Sequence, residues 1–207
     1  MKGNKVKKIV LLAAGLLLTA CASYDLQQAM RPDNRNILSK LPNMEPIFET
    51  KSLDKRSASA RGHKTSTRLS NEFATLFRRE VEKNLINEDG PVKGKLILDP
   101  IFVQDESTAW PGIISIPLFW GIPLFLGAPW GWNTSRWELE LSVLDKNGKR
   151  IARYSGGTAD TEYKAFYWGY TLTSCRKAAA FEGYKKALDD VIKQLQADIP
   201  TLSAKLK

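Results

Sequence analysis

Residues 110–132 form a run of 23 without one charged side chain, and proline recurs in it every six positions, at Pro111, Pro117, Pro123 and Pro129. In register the run reads WPGIIS, IPLFWG, IPLFLG, APWGWN. Its length and hydrophobicity match a membrane-spanning helix. Its prolines and glycines oppose one, because each interior proline removes a backbone hydrogen bond and costs about 3 kcal/mol. An irregular segment alone in hydrocarbon also leaves amides unpaired. The run therefore predicts an apolar lobe inserted into a domain, which either folds back as core or meets lipid or a partner protein. Four of its side chains are tryptophans, whose indole favours the membrane–water interface: one edge is apolar while the N–H stays wet. The residues expected to make the contact are Trp110, Pro117, Phe119, Trp120, Pro123, Phe125, Trp130 and Trp132.

The N-terminus supplies a second constraint. Lys2, Lys5, Lys7 and Lys8 precede twelve uncharged residues, Ile9 to Ala20, rich in Leu and Ala. A basic stretch followed by a short apolar core is the pattern of a secretory signal, and twelve residues are too few to span a bilayer as a helix. Leu18-Thr19-Ala20-Cys21 follows, and it resembles the lipobox of bacterial lipoprotein precursors. That resemblance covers residues 1–21 only. It implies cleavage before Cys21, a lipid (diacylglyceryl, with palmitate-type acylation of the new amine) on Cys21, and anchoring in the envelope. Ala22 stands where an aspartate would resemble an inner-membrane retention signal, so the implied destination is the outer membrane, facing the periplasm. Each acyl CH₂ buried in lipid is worth about 0.8 kcal/mol, and several chains together make such an anchor effectively permanent.

Cleavage would remove four of the 31 basic residues and leave 27 against 22 acids. Much of the apparent basicity thus belongs to the signal, and nucleic acid is not expected as a partner. One histidine and two cysteines nearly exclude a protein-only zinc site, a histidine-based triad and a disulfide scaffold. With Cys21 lipidated, Cys175 has no partner within the chain and is expected to be buried.

Residues 21–45 read as a lipidated tether, 46–200 as one domain and 201–207 as a tail. Glu45 to Leu53 has strand character. Residues 51–68 are a basic, serine-rich loop that carries His63. From Thr67 the apolar residues Leu69, Phe73, Leu76, Phe77, Val81 and Leu85 recur at helical spacing, with Ser66, Thr67 or Ser70 as caps and Asp89-Gly90-Pro91 as the stop. Lys95 to Gln104 is a strand interrupted by Pro100. Arg136 to Asp145 alternates as a half-buried strand does, and Asn147-Gly148 then turns the chain into Ile151 to Ser155 as a hairpin. A second helix is expected from Thr173 or Ser174 to Ile199, stopped by Pro200, with Phe181, Tyr184, Leu188, Val191, Ile192 and Leu195 on its apolar face. Its first-turn Arg176 and Lys177 oppose the helix dipole, which suggests an interaction there.

This order predicts an α+β, two-layer fold: a small, mostly antiparallel sheet of about four strands, packed by two amphipathic helices and carrying the apolar insertion. It is loosely similar to small α+β outer-membrane accessory lipoproteins. The aromatic residues Tyr163, Phe166, Tyr167, Trp168 and Tyr170 are expected to pack as core or to form a stacking surface. Ser174-Cys175-Arg176-Lys177 matches S-x-x-K, but the companion elements of penicillin-binding enzymes are missing. No catalytic set, metal site or cofactor is expected. The expectation is a non-enzymatic, lipid-anchored accessory or structural protein that contacts membrane or an envelope protein through residues 110–132. The alternatives are a carrier for an apolar ligand and a self-associating subunit of a membrane-inserted ring.

Overall fold

In the computed structural model the described residues are 24–35, 37, 39–49, 65–109, 122–165 and 169–206. Cys21, residues 51–64 of the basic loop with His63, most of the apolar run (110–121) and Phe166, Tyr167 and Trp168 lie outside them, while residues 65–68, expected in that loop, are helical. The chain divides into two compact units: one holds residues 107–134 and 161–179 with the N-terminus to Tyr24, the other 25–106, 135–160 and 180–207.

The sheet has the order β1-β2-β3-β4, formed by Glu45–Phe48, Gly94–Thr108, Gly131–Asp145 and Arg150–Lys164. β1 runs parallel to β2, with Glu45 opposite Lys95 and Phe48 opposite Leu98. β2 runs against β3: Gly94 lies against the Leu144 carbonyl and Gly131 against that of Thr108. The β3–β4 hairpin turns at Asn147-Gly148, as its sequence predicts, with Gly148 at φ +78°. The Asp145 carboxylate fixes the turn by accepting from the amides of Asn147 and Lys149, at 2.8 and 2.9 Å. The α+β class expected from the sequence is therefore the one present: a four-stranded mixed sheet with helices.

Several element boundaries differ from their sequence-based expectation. β2 passes straight through Pro100. Its buried residues are Leu96, Leu98 and Pro100, then Val103, so the inward phase switches from even to odd numbers. One extra residue in the strand has this effect, and such a bulge is where a sheet tolerates proline. β4 does not stop at Ser155 but continues through Gly156-Gly157 to Lys164. A Cβ on Gly156 would come within 2.7 Å of the Asp190 carboxylate and 2.9 Å of Val191, so the glycine lets the last helix lie close on the strand. That helix, α5 (Leu172–Lys205), runs on through Pro200. Leu202 and Leu206 beyond the proline are buried, and their burial offsets the lost backbone bond.

Helix caps also differ. α1 is the short turn Leu26–Ala29, capped by Asp25, and α2 is Thr65–Arg68. α3 (Ser70–Glu80) has Leu69 at its N-cap without a side-chain bond, because Ser66 instead donates to the Asp105 carboxylate at 2.8 Å. At the start of α5, Thr171 rather than Thr173 or Ser174 caps, accepting from the Ser174 amide at 3.3 Å. α3 continues as a π-helical turn, Val81–Leu85, and stops there rather than at Gly90. Leu41 explains the early end: its amide donates to the Leu85 carbonyl and its carbonyl accepts from Asn87, both at 2.8 Å, which draws Ile86 into an extended bridge.

In the larger unit the core centres on Phe73, Trp137, Phe181 and Tyr184, all buried. Phe73 meets Trp137 edge-on at 4.8 Å between ring centroids and Tyr184 at 4.6 Å. The buried polar ends are satisfied: Tyr184 donates to the Phe73 carbonyl, and Trp137 Nε1 to Ser135 Oγ, which in turn donates to Asp105. Residues 30–35 and 39–44 are folded into the same unit. Met30, Leu41 and Met44 are buried, and Arg35 is paired with Glu80 at 3.5 Å and Asp189 at 2.6 Å.

Candidate functional site

The described end of the apolar run begins with α4, the single turn Ile122–Phe125. Leu124 points inward, while Ile122 and Leu126, one helical turn apart, are 58% and 81% exposed. Gly127, at φ +92°, turns the chain out of the helix. Trp130 then joins the sheet by donating its amide to the Lys164 carbonyl at 2.8 Å. Trp130 and Trp132 are half-buried. Trp110, Pro117, Phe119 and Trp120 lie outside the described residues, as do the side chains of Pro123 and Phe125.

The second aromatic cluster is represented by two tyrosines. The Tyr170 amide donates to the Tyr163 carbonyl at 3.0 Å, and the Tyr170 ring meets that of Tyr24 edge-on at 6.1 Å. Tyr163 is 44% exposed and Leu172, two residues beyond Tyr170, 43%. Thus four of the six exposed large apolar side chains among the described residues, Ile122, Leu126, Tyr163 and Leu172, belong to the smaller unit, which also holds Tyr24; the other two, Val92 and Phe102, belong to the larger one. Surface apolar residues scattered singly carry no message, but a concentration in one unit points to an interface.

The same unit contains a buried polar group that periodicity did not reveal. Lys164 is fully buried at the end of β4. Its Nζ donates to Ser107 Oγ at 3.0 Å and lies 5.6 Å from the centre of the Trp130 ring, a cation–π distance. Burial lowers its pKa; the neighbouring Cys175 thiol opposes that shift, and Arg176 adds to it. Cys175 is buried, as expected, and donates to the Glu162 carbonyl at 3.1 Å. Burial raises its pKa, which keeps it a thiol and unreactive. Asn133 stands beside it, and neither polar atom of its amide finds a hydrogen-bonding partner of good geometry. The signal for Lys164 lies in the alternation of β4: Tyr154, Asp160 and Lys164 share the inward face. Gly156-Gly157 masks that alternation to a reader of the sequence.

Of the S-x-x-K match, Ser174 sits in the first turn of α5, where it serves the cap through its backbone amide, and Lys177 in the second. Among the described residues, no three His, Cys, Asp or Glu side chains come together as metal ligands, and no helix is long and apolar enough to cross a membrane.

No family model and no curated protein matches this chain. Among solved structures, it is similar to a candidate lipoprotein of Caulobacter crescentus at 15% identity and a TM-score of 0.33, covering 75% of this chain and 98% of that one. A Xanthomonas campestris protein of the DUF330 family is 11% identical over 81% of this chain and 95% of its own, with a TM-score of 0.39. A minor lipoprotein of Acinetobacter baumannii is 13% identical over 82% of this chain and 94% of its own, at 0.29. Likenesses this distant transfer no activity and assign no family.

Proposed function

We propose that this chain is a lipoprotein of the bacterial envelope, lipidated on Cys21, with a non-enzymatic accessory or structural role on the periplasmic side of the outer membrane. The observation that carries the reading is Leu18-Thr19-Ala20-Cys21 placed directly after a basic and then apolar leader. The exposure of Ile122 and Leu126 supports the second half of the proposal, that the apolar segment contacts membrane or an envelope protein. Replacing Cys21 with Ser tests the anchor. The expected outcome is loss of metabolic palmitate labelling and movement of the protein from the membrane to the soluble fraction. Retention of the acyl mass on the variant would refute it.

A further inference from the structure

One of the exposed apolar residues of the smaller unit, Tyr163, is linked by short contacts to the point where the anchor would leave the fold. Tyr24 is held against Tyr170 by the ring contact at 6.1 Å, and Tyr170 is hydrogen-bonded to Tyr163. Tyr24 lies three positions after Cys21, so an extended chain spans at most about 11 Å between them. A leash that short gives the unit no room to stand clear of the surface in which residue 21 is embedded. The side chains nearest the leash have the chemistry of an interface. Tyr163 offers an apolar ring with a polar tip, Leu172 follows Tyr170 by two residues, and Trp130 joins the strand end at Lys164, next to Tyr163. Ile122 and Leu126 stand one helical turn apart, just upstream of Trp130.

We propose that Ile122, Leu126, Tyr163 and Leu172 form the face on which the unit rests against the phospholipid bilayer that holds its own acyl chains. This deepens the lipoprotein reading and rests on it. Tethering supplies the driving condition: a weak apolar contact becomes favourable when the anchor holds it at high effective concentration beside the membrane.

The test uses the full-length protein, purified from native membranes and returned to phosphatidylcholine–phosphatidylglycerol vesicles. An environment-sensitive dye is attached to Leu126→Cys, Leu172→Cys or, in the β3–β4 turn, Asn147→Cys. All three positions are at the surface, and Cys175 is buried. The mass of residue 21 is measured on the same samples. The expected result is blue-shifted emission at positions 126 and 172, quenched by spin-labelled lipid carrying the quencher near the head group, with position 147 remaining in water. Wet, unquenched dyes on protein whose Cys21 carries lipid would overturn the face while leaving the anchor intact. Dyes that are shielded but unquenched by lipid would also overturn it, in favour of a protein contact. An unmodified Cys21 would remove the premise of both.

Discussion

Lys164 sits in an environment far from its ordinary one. A fully buried ammonium normally sits against a carboxylate, yet here a serine hydroxyl and an indole face serve instead. Its lowered pKa has a definite sign in stability. Where the unfolded lysine is protonated and the folded one resists protonation, the unfolded state binds more protons, so raising the pH favours folding. The penalty is fully present below the folded pKa and fades toward the ordinary lysine value. Lys164→Met keeps length and volume but removes the charge. It is expected to be at least as stable as the parent near neutral pH, with the difference shrinking as the pH rises toward 10. Urea titrations of both proteins across that range measure it. A variant less stable at every pH would mean that the cation–π and serine contacts outweigh the desolvation.

At the level of elements, sequence patterning located strands and helices better than it located their ends. The stripe from Leu69 to Leu85 and the alternation from Trp137 to Val143 were legible because each buries one face in the core around Phe73. Their limits were not, since each was decided by a distant partner. Leu41 ends the π turn, Asp105 takes Ser66 away from the helix cap, and Leu202 and Leu206 carry α5 past Pro200. The proline carries its own prediction. It is exposed on a helix interior, where it costs about 3 kcal/mol relative to alanine. Pro200→Ala is therefore expected to raise the unfolding free energy by roughly 1–3 kcal/mol, seen as a higher denaturant midpoint at an unchanged slope. Of the candidate contact site, the apolar composition was visible in the chain. The exposure of Ile122, Leu126, Tyr163 and Leu172 was not, because hydropathy does not distinguish a lobe turned inward from one turned out.

For the molecule as a whole, the segment after residue 24 matters most. Residues 21–45 read as a tether because they lack periodicity. The structure nonetheless fastens several of them by single, long-range contacts: Arg35 to Glu80 and Asp189, Asn84 to the Asp33 carbonyl, and Asn43 to the carbonyls of Glu88 and Gly90. Such contacts leave no periodic signature. Arg35→Ala would leave the buried Glu80 carboxylate without its cation, though still accepting from the Asp33 amide and Asn84, and a loss of about 3 kcal/mol in stability is expected by chemical denaturation. Part of that loss is acid-sensitive. Burial alone would raise the pKa of Asp189, but Lys193 and Arg35 outweigh it and hold the carboxyl below its usual value. Its contribution is therefore present at neutral pH and disappears as acid protonates it. The ladder of β1 on β2 lies just beyond these pins, and it too belongs to the N-terminal part of the chain. A pull on the N-terminus would therefore load Arg35 and then that parallel ladder in shear, where several hydrogen bonds must break together. Anchored at residue 21 as proposed, a chain wired this way would pass tension from that end into its body instead of letting a slack rope absorb it.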